Sequence, residues 1–372
     1  MELKFPDGFL WGTATSAYQV EGGNENSDWS TPRQKNSEGP AGRACDHYAL
    51  YEKDFDLMKQ LNLNAYRFSI EWSRIEPEEG KFNEKEIEHY RKILEGLKSR
   101  EIKAMVTLHH FTLPLWLANI GGFSNTKAVF YFLRFAKKIF SEYKNLVDFW
   151  ITLNEPLVYA SKGYLEGLWP PQKKNIYLFF KVFRNQLQVH REIYQLFKKE
   201  GYKGKSKIGI AHNVIFFEPF HQKSLLDIFA VFLARSFVNE YFLNKIKKNM
   251  DFIGVNYYFH NRIKFPWLIK NENKVVSDVN WEIYPEGIYY VLRELKKYNL
   301  PIYITENGLA DRKDILRKDF IKEHLYWIHE AISGGIDVKG YFHWSFLDNF
   351  EWEKGFAPRF GLVEVDYKTL ER

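Results

Sequence analysis

The chain has 372 residues, 45% hydrophobic and 27% charged, the balance of a soluble globular protein rather than a disordered or collagen-like one. Its 53 basic and 47 acidic residues leave a formal charge of +6, too mild at this length to require a nucleic-acid partner. A single cysteine excludes a disulfide scaffold and any multi-cysteine zinc or iron–sulfur centre. No apolar run nears the ~18 residues of a membrane span, and the greasiest stretch, Leu225 to Ala234, is broken by Asp227. The N-terminal MELKFPDGFLWG lacks the basic–apolar–small order of a secretory signal, so a cytoplasmic setting is expected. Aromatic residues reach 18%, which suits carbohydrate stacking and equally suits a well-filled core.

Short β-rich runs alternate with helical patterns along the whole chain. Strands are expected at 9–15, 64–70, 104–110, 149–155, 207–213, 251–258, 301–307 and 338–346. Most are continuous apolar runs, the pattern of strands buried on both faces of a parallel sheet. Between them the spacing predicts helices near 47–61, 84–100, 126–143, 176–200, 225–247, 286–299 and 318–333. Pro285 reads as a first-turn proline of the sixth helix, and Gly334-Gly335 closes the seventh. Eight strands with a helix in every gap predict an α/β fold, a (β/α)8 TIM barrel, with residues 1–372 forming one domain. The helix that should follow the eighth strand is missing. That gap is expected to expose the flanks of the first and last strands unless a partner or a loop covers them, the shortening reflecting truncation or a face for homo-oligomer association.

Polar residues at the C-terminal ends of barrel strands converge on one site. Here those ends supply Gln19 and Glu21, Arg67 and Glu71, His109 and His110, Asn154 and Glu155, then His212 and Asn213. Further ends supply Asn256, Tyr257 and Tyr258, Glu306 and Asn307, then Trp344 with Glu351 beyond it. Amides, carboxylates and aromatics suit a neutral, many-hydroxyl ligand. The histidines lack metal-ligand spacing, so neither metal nor cofactor is expected. TLNEP (152–156) and ITENG (304–308) each set a glutamate at a strand terminus. Two facing glutamates are the minimum equipment for glycoside hydrolysis.

Those two motifs, with FLWGTATSAYQVEG (9–22), NAYRFSIEWSRIEP (64–77), TLHHFTLPLWL (107–117), GVNYY (254–258) and GYFHWSFLDNFEWEKGFAPRFGLVEVDY (340–367), resemble glycoside hydrolase family 1, the retaining β-glycosidases, and in particular its short archaeal-type members. The resemblance covers essentially the whole chain. It implies an exo-acting hydrolase of β-glucosides or β-galactosides, with small β-glycosides or oligosaccharides as its partners. It makes Glu155 the general acid/base and Glu306 the nucleophile. Arg67 and Tyr258 should hold Glu306 ionised, and the charge of Glu306 should raise Glu155. Gln19, His110, Asn154 and Glu351 match the family's hydrogen-bonding ring around the sugar, Trp344 its stacking floor, and Trp352 joins Glu351 at the sugar's far edge. Asn154 should meet the 2-hydroxyl. The Glu351–Trp352 pair implies an unphosphorylated sugar, with Lys354 a solvated charge. His109 is expected to be structural and Cys45 an inert buried thiol.

The chain departs from the family pattern in two places. Phe111 and Thr112 stand where most members have Trp-Asp. The stretch from Ala230 to Asp251 is shortened, the helix running almost directly into the sixth strand. A wider aglycone mouth and a looser barrel are expected from that shortening. Two alternatives follow: a non-catalytic sugar-binding barrel, or a transglycosidase working through the same covalent intermediate. The run Ile263 to Ile269 (IKFPWLI) reads as a mouth loop, with a membrane-surface contact as the alternative.

Overall fold

The computed structural model describes residues 3–30, 40–200 and 206–372, so Met1 and Glu2 of the N-terminal run read above lie outside the described residues. Eight strands form the barrel: β1 (Leu10–Ala14), β2 (Ala65–Ser69), β3 (Lys103–Thr107), β4 (Phe149–Asn154), β5 (Lys207–Asn213), β6 (Phe252–Asn256), β7 (Ile302–Asn307) and β8 (Val338–Trp344). Each pairs in parallel with its neighbours, and β1 pairs with both β2 and β8. The barrel is therefore closed, and the looser barrel expected from the shortened segment is not found. The helices lie in an outer layer whose apolar faces, the outward faces of the strands and the loop aromatics build the main core. A second, smaller core fills the interior, where Phe149, Phe252, Tyr303 and Phe342 meet small residues such as Ala14, Ala65 and Ala211. Large rings set among alanines fill the interior, as close packing requires.

Seven main helices flank the strands: α1 (His47–Gln60), α2 (Glu84–Ser99), α3 (Lys127–Tyr143), α4 (Ile176–Lys199), α5 (Leu225–Arg235), α6 (Gly287–Leu295) and α7 (Arg317–Ser333). Local chemistry sets their ends. The side chains of Asn83, Asn175 and Ser224 cap α2, α4 and α5 by accepting backbone N–H bonds, replacing partners that a helix start lacks. Gly335, at φ 75°, turns the chain out of α7 in a conformation that favours glycine. Pro285 sits one residue before the N-cap Glu286, so it shapes the entry to α6 rather than occupying its first turn. From α5 the chain continues helically through 236–246 and enters β6 at Phe252, the short connection expected from the sequence.

No eighth helix follows β8 among the described residues, yet the flanks of β1 and β8 are covered. The rings of Phe5 and Phe9 each lie 4.8 Å from that of Trp11, and His329 of α7 closes on Phe5 at 5.7 Å. Residues 363–372 also pack back, burying Val365, and Arg372 reaches Asp54 of α1 at 2.7 Å. Of the alternatives the sequence left open, cover by the chain itself is the one found: an aromatic cluster and a returning segment lie over the flank.

Candidate active site

The strand ends open into a cavity of about 530 Å³. Its walls include Glu155, Glu306, Tyr258, His110, Trp344, Glu351 and Trp352, seven of the ten residues to which the family resemblance gives a role, together with the strand-end residues His212 and Asn213. Arg67, Asn154 and Gln19, the other three, are buried beside them. Among the described residues no cluster of candidate metal ligands is present.

Glu155 and Glu306 project from the ends of β4 and β7. Arg67, reaching across from β2, donates to Glu306 Oε1 at 2.6 Å and to Asn154 Oδ1 at 2.6 Å. Asn256 donates to the same Asn154 oxygen at 3.1 Å and to Glu155 Oε1 at 2.8 Å. A continuous path of hydrogen bonds thus runs Glu306–Arg67–Asn154–Asn256–Glu155, tying two residues that are remote in sequence to one frame. The Tyr258 hydroxyl donates to Glu306 Oε2 at 2.6 Å. Gly308 of ITENG has its own reason: a Cβ there would run into the Trp344 carbonyl, so the glycine allows β7 and β8 to meet closely at the cavity rim.

The two carboxyls have different electrostatic surroundings. Burial and then the charge of Glu306 push Glu155 up to about 8, and burial is the larger cause, where the sequence argument had named only Glu306. Burial also raises Glu306 above its ordinary value, but Arg67 and Tyr258 act against it. With a guanidinium on one oxygen and a phenol on the other, Glu306 is the first of the pair to ionise. Glu155 keeps its proton near neutral pH, which equips one wall to donate a proton and the other to present a carboxylate.

The remaining walls form a polar and aromatic cradle. Gln19 donates to Asn349 Oδ1 at 3.0 Å, the Phe350 carbonyl at 2.8 Å and Glu351 Oε2 at 3.3 Å. His110 stacks on Trp344 at 5.6 Å and on Trp352 at 6.0 Å, and burial depresses its pKa, leaving a neutral ring. Its Nε2 lies 3.2 Å from Asn154 Nδ2, while its Nδ1 is buried with no partner among the described residues. His109 instead packs among Phe123, Phe132 and Tyr159 and is held down to about 3 by burial, the structural histidine expected. Phe111, Glu155 and Trp352 all line the cavity with left-handed backbones, at φ 75°, 43° and 48°. Such costly conformations in non-glycine residues gather at functional sites.

Three contributors were not named from the sequence, and a fourth, Asn256, was named as a strand-end residue but given no role. Asn256 stood in the GVNYY motif, where its strand-end position was the available signal. Asn349 lies in the long segment after β8 and is visible only through its bond to Gln19. Trp169 and Trp281 line the cavity from irregular segments that carry no periodic pattern. Glu353 accepts from Trp169 Nε1 at 2.5 Å, and Lys354 is exposed at the rim.

Comparison with known proteins bears on the family and the fold. The model of glycosyl hydrolase family 1 matches residues 1–248 and 243–372. The two matched pieces meet within the helical run before β6, where the sequence lacks a segment. Beta-glucosidase A of Thermotoga maritima is 37% identical, the alignment covering 99% of this chain and 95% of that protein. Beta-galactosidase of Pyrococcus woesei is 32% identical over 99% of this chain and 94% of its own length. The solved beta-glycosidase from Pyrococcus horikoshii superposes with a TM-score of 0.94 at 41% identity, covering 100% of this chain and 92% of that one. The chain is a glycoside hydrolase and belongs to glycosyl hydrolase family 1.

Proposed function

We propose that this chain is an exo-acting retaining β-glycosidase that cleaves β-glucosides and β-galactosides by double displacement. The observation that carries the reading is one cavity walled by two glutamates of unequal proton affinity, cross-linked through Arg67, Asn154 and Asn256. In the first step a carboxylate oxygen of Glu306 bonds to the anomeric carbon as the glycosidic C–O bond breaks. Glu155 passes its proton to the departing oxygen. In the second step Glu155 takes a proton from water, the hydroxyl attacks the same carbon, and Glu306 leaves as carboxylate. Retention requires the carboxyls to lie ~5–5.5 Å apart.

In this reading Asn154 meets the sugar's 2-hydroxyl, where contacts tighten as positive charge develops on the ring. His110, Gln19 and Glu351 take further hydroxyls, and Trp344 and Trp352 supply the apolar faces. Burial, with Glu353 and Glu306, pushes Glu351 up to about 8. A cytoplasmic setting belongs to the same proposal and is checked by cell fractionation. Homo-oligomer association through the face beside β8 loses its motive, since that face is covered.

The test is chemical. Glu306→Gly should abolish turnover of every nitrophenyl β-glycoside. Glu155→Ala should slow substrates with poor leaving groups most, and added azide should restore turnover by yielding the β-glycosyl azide. An α-azide would overturn the assigned geometry. Sugar binding by calorimetry without turnover would select a non-catalytic barrel.

A further inference from the structure

Helix α5 is inverted relative to an ordinary surface helix. Its inward contacts are made by small residues: Ala230 and Ala234 pack against Ile263. Its large residues face out, with Leu225 at 82% exposure and Phe229 and Phe232 at 53% each. The loop 264–270 continues this surface. The Phe265 N–H donates to Asp227 Oδ1 at 2.9 Å, fixing the loop against the first turn of α5. That loop exposes Trp267 at 56%, flanked by Leu268 and Ile269. On the other side, Phe183 of α4 lies 5.8 Å from the Tyr241 ring in the helical continuation of α5, and the start of α4 is itself exposed at Ile176, Tyr177 and Phe180. Contiguous apolar exposure on this scale marks a contact surface.

The rim is cationic. Lys173 and Lys174 stand before α4, Lys223 before α5, and Lys264 and Lys270 at the two ends of the loop, all exposed. Acids are withdrawn: residues 167–191 and 264–270 contain none. Asp227, the one acid between Leu225 and Asn239, is buried, and Glu166 is paired with Lys162. A second copy docking by two-fold symmetry would set these lysines against each other. Among the described residues no helix is long and apolar enough to cross a membrane. An outward apolar helix face, an exposed tryptophan and a lysine border are the features of a segment that lies in a lipid interface.

We propose that this face docks peripherally on a bilayer containing anionic lipids. Val238 and Ile269 line the cavity, so docking sets the cavity mouth at the lipid surface, where glycosides with an inserted alkyl chain are held. That consequence for substrate rests on the glycosidase reading; the docking does not.

The experiment is co-sedimentation of the full chain with vesicles of phosphatidylcholine alone or mixed with phosphatidylglycerol. Binding to the mixed vesicles is expected, weakening as salt is raised. The triple variant Phe229→Ser, Phe232→Ser, Trp267→Ser should lose more than about tenfold in partitioning while turnover of a soluble nitrophenyl glycoside is retained. A second variant, Lys264→Glu with Lys270→Glu, should lose at least about thirtyfold on anionic vesicles alone. Failure of the unaltered chain to sediment with either vesicle, or equal binding to both, would overturn the proposal. So would light scattering that shows a dimer dissociated by the triple substitution, without vesicle binding. Loss of turnover with vesicle binding intact would count against the glycosidase reading only.

Discussion

Tyr258→Phe removes a single oxygen and tests how the two carboxyls divide their work. The hydroxyl donates to Glu306 Oε2 at 2.6 Å, and its own pKa is raised well above the ordinary range by burial and then by Glu306, so it remains a donor at every working pH. A hydrogen bond to a charged group contributes about 1.5–3 kcal/mol, and one unit of pKa is about 1.4 kcal/mol. Its loss should therefore raise the pKa of Glu306 by about one to two units. The sign follows from which form is stabilised: the phenol favours the carboxylate, so without it Glu306 takes up a proton at higher pH. The assay is the pH dependence of kcat/KM for a nitrophenyl β-glycoside. The acid limb should move upward, while the alkaline limb, set by Glu155 at about 8, stays in place. A uniform loss with both limbs fixed would refute the argument that Tyr258 biases Glu306. Movement of the alkaline limb alone would reverse the roles given to the two glutamates.

Two further expectations concern other parts of the chain. Arg372→Ala leaves Asp54 buried without its guanidinium, and breaking such a pair costs about 3–5 kcal/mol; the low end is expected because His47 Nδ1 remains at 2.7 Å. Burial acts to raise Asp54, but His47 and Arg372 outweigh it and hold the carboxyl below its ordinary value. The difference in melting temperature should thus be complete above the ordinary carboxylate range and vanish as pH falls through the lowered value. A difference that grew on acidification would contradict this. Separately, the shortened segment before β6 should make kcat/KM for aryl β-glycosides fall less with aglycone bulk than in longer relatives. An equal or sharper size cutoff would remove the segment from the account of specificity.

The barrel was legible because strands buried on both faces write themselves as continuous apolar runs, and the helices between them carry a periodic stripe. TLNEP and ITENG were legible because a strand-end glutamate followed by proline or glycine is a local pattern. The covering of β1 and β8 was not, since Phe5, Phe9 and His329 meet only after the barrel closes. Nor was the three-stranded sheet of Phe216–Pro219, His260–Lys264 and Leu268–Ile269, whose short strands carry no clear alternation.

The sequence by itself determined which residues stand at the ends of which strands, because backbone periodicity is local and each side chain follows it. Only the tertiary structure decided what those residues feel. The raised proton affinity of Glu155 comes first from burial, a property of the whole enclosure, and the path through Arg67, Asn154 and Asn256 joins three different strands. The orientation of α5 was likewise undetermined by LLDIFAVFLAR, which is apolar on nearly every side. Close approach to Ile263 selected the alanines for the inside and left the leucines and phenylalanines facing out.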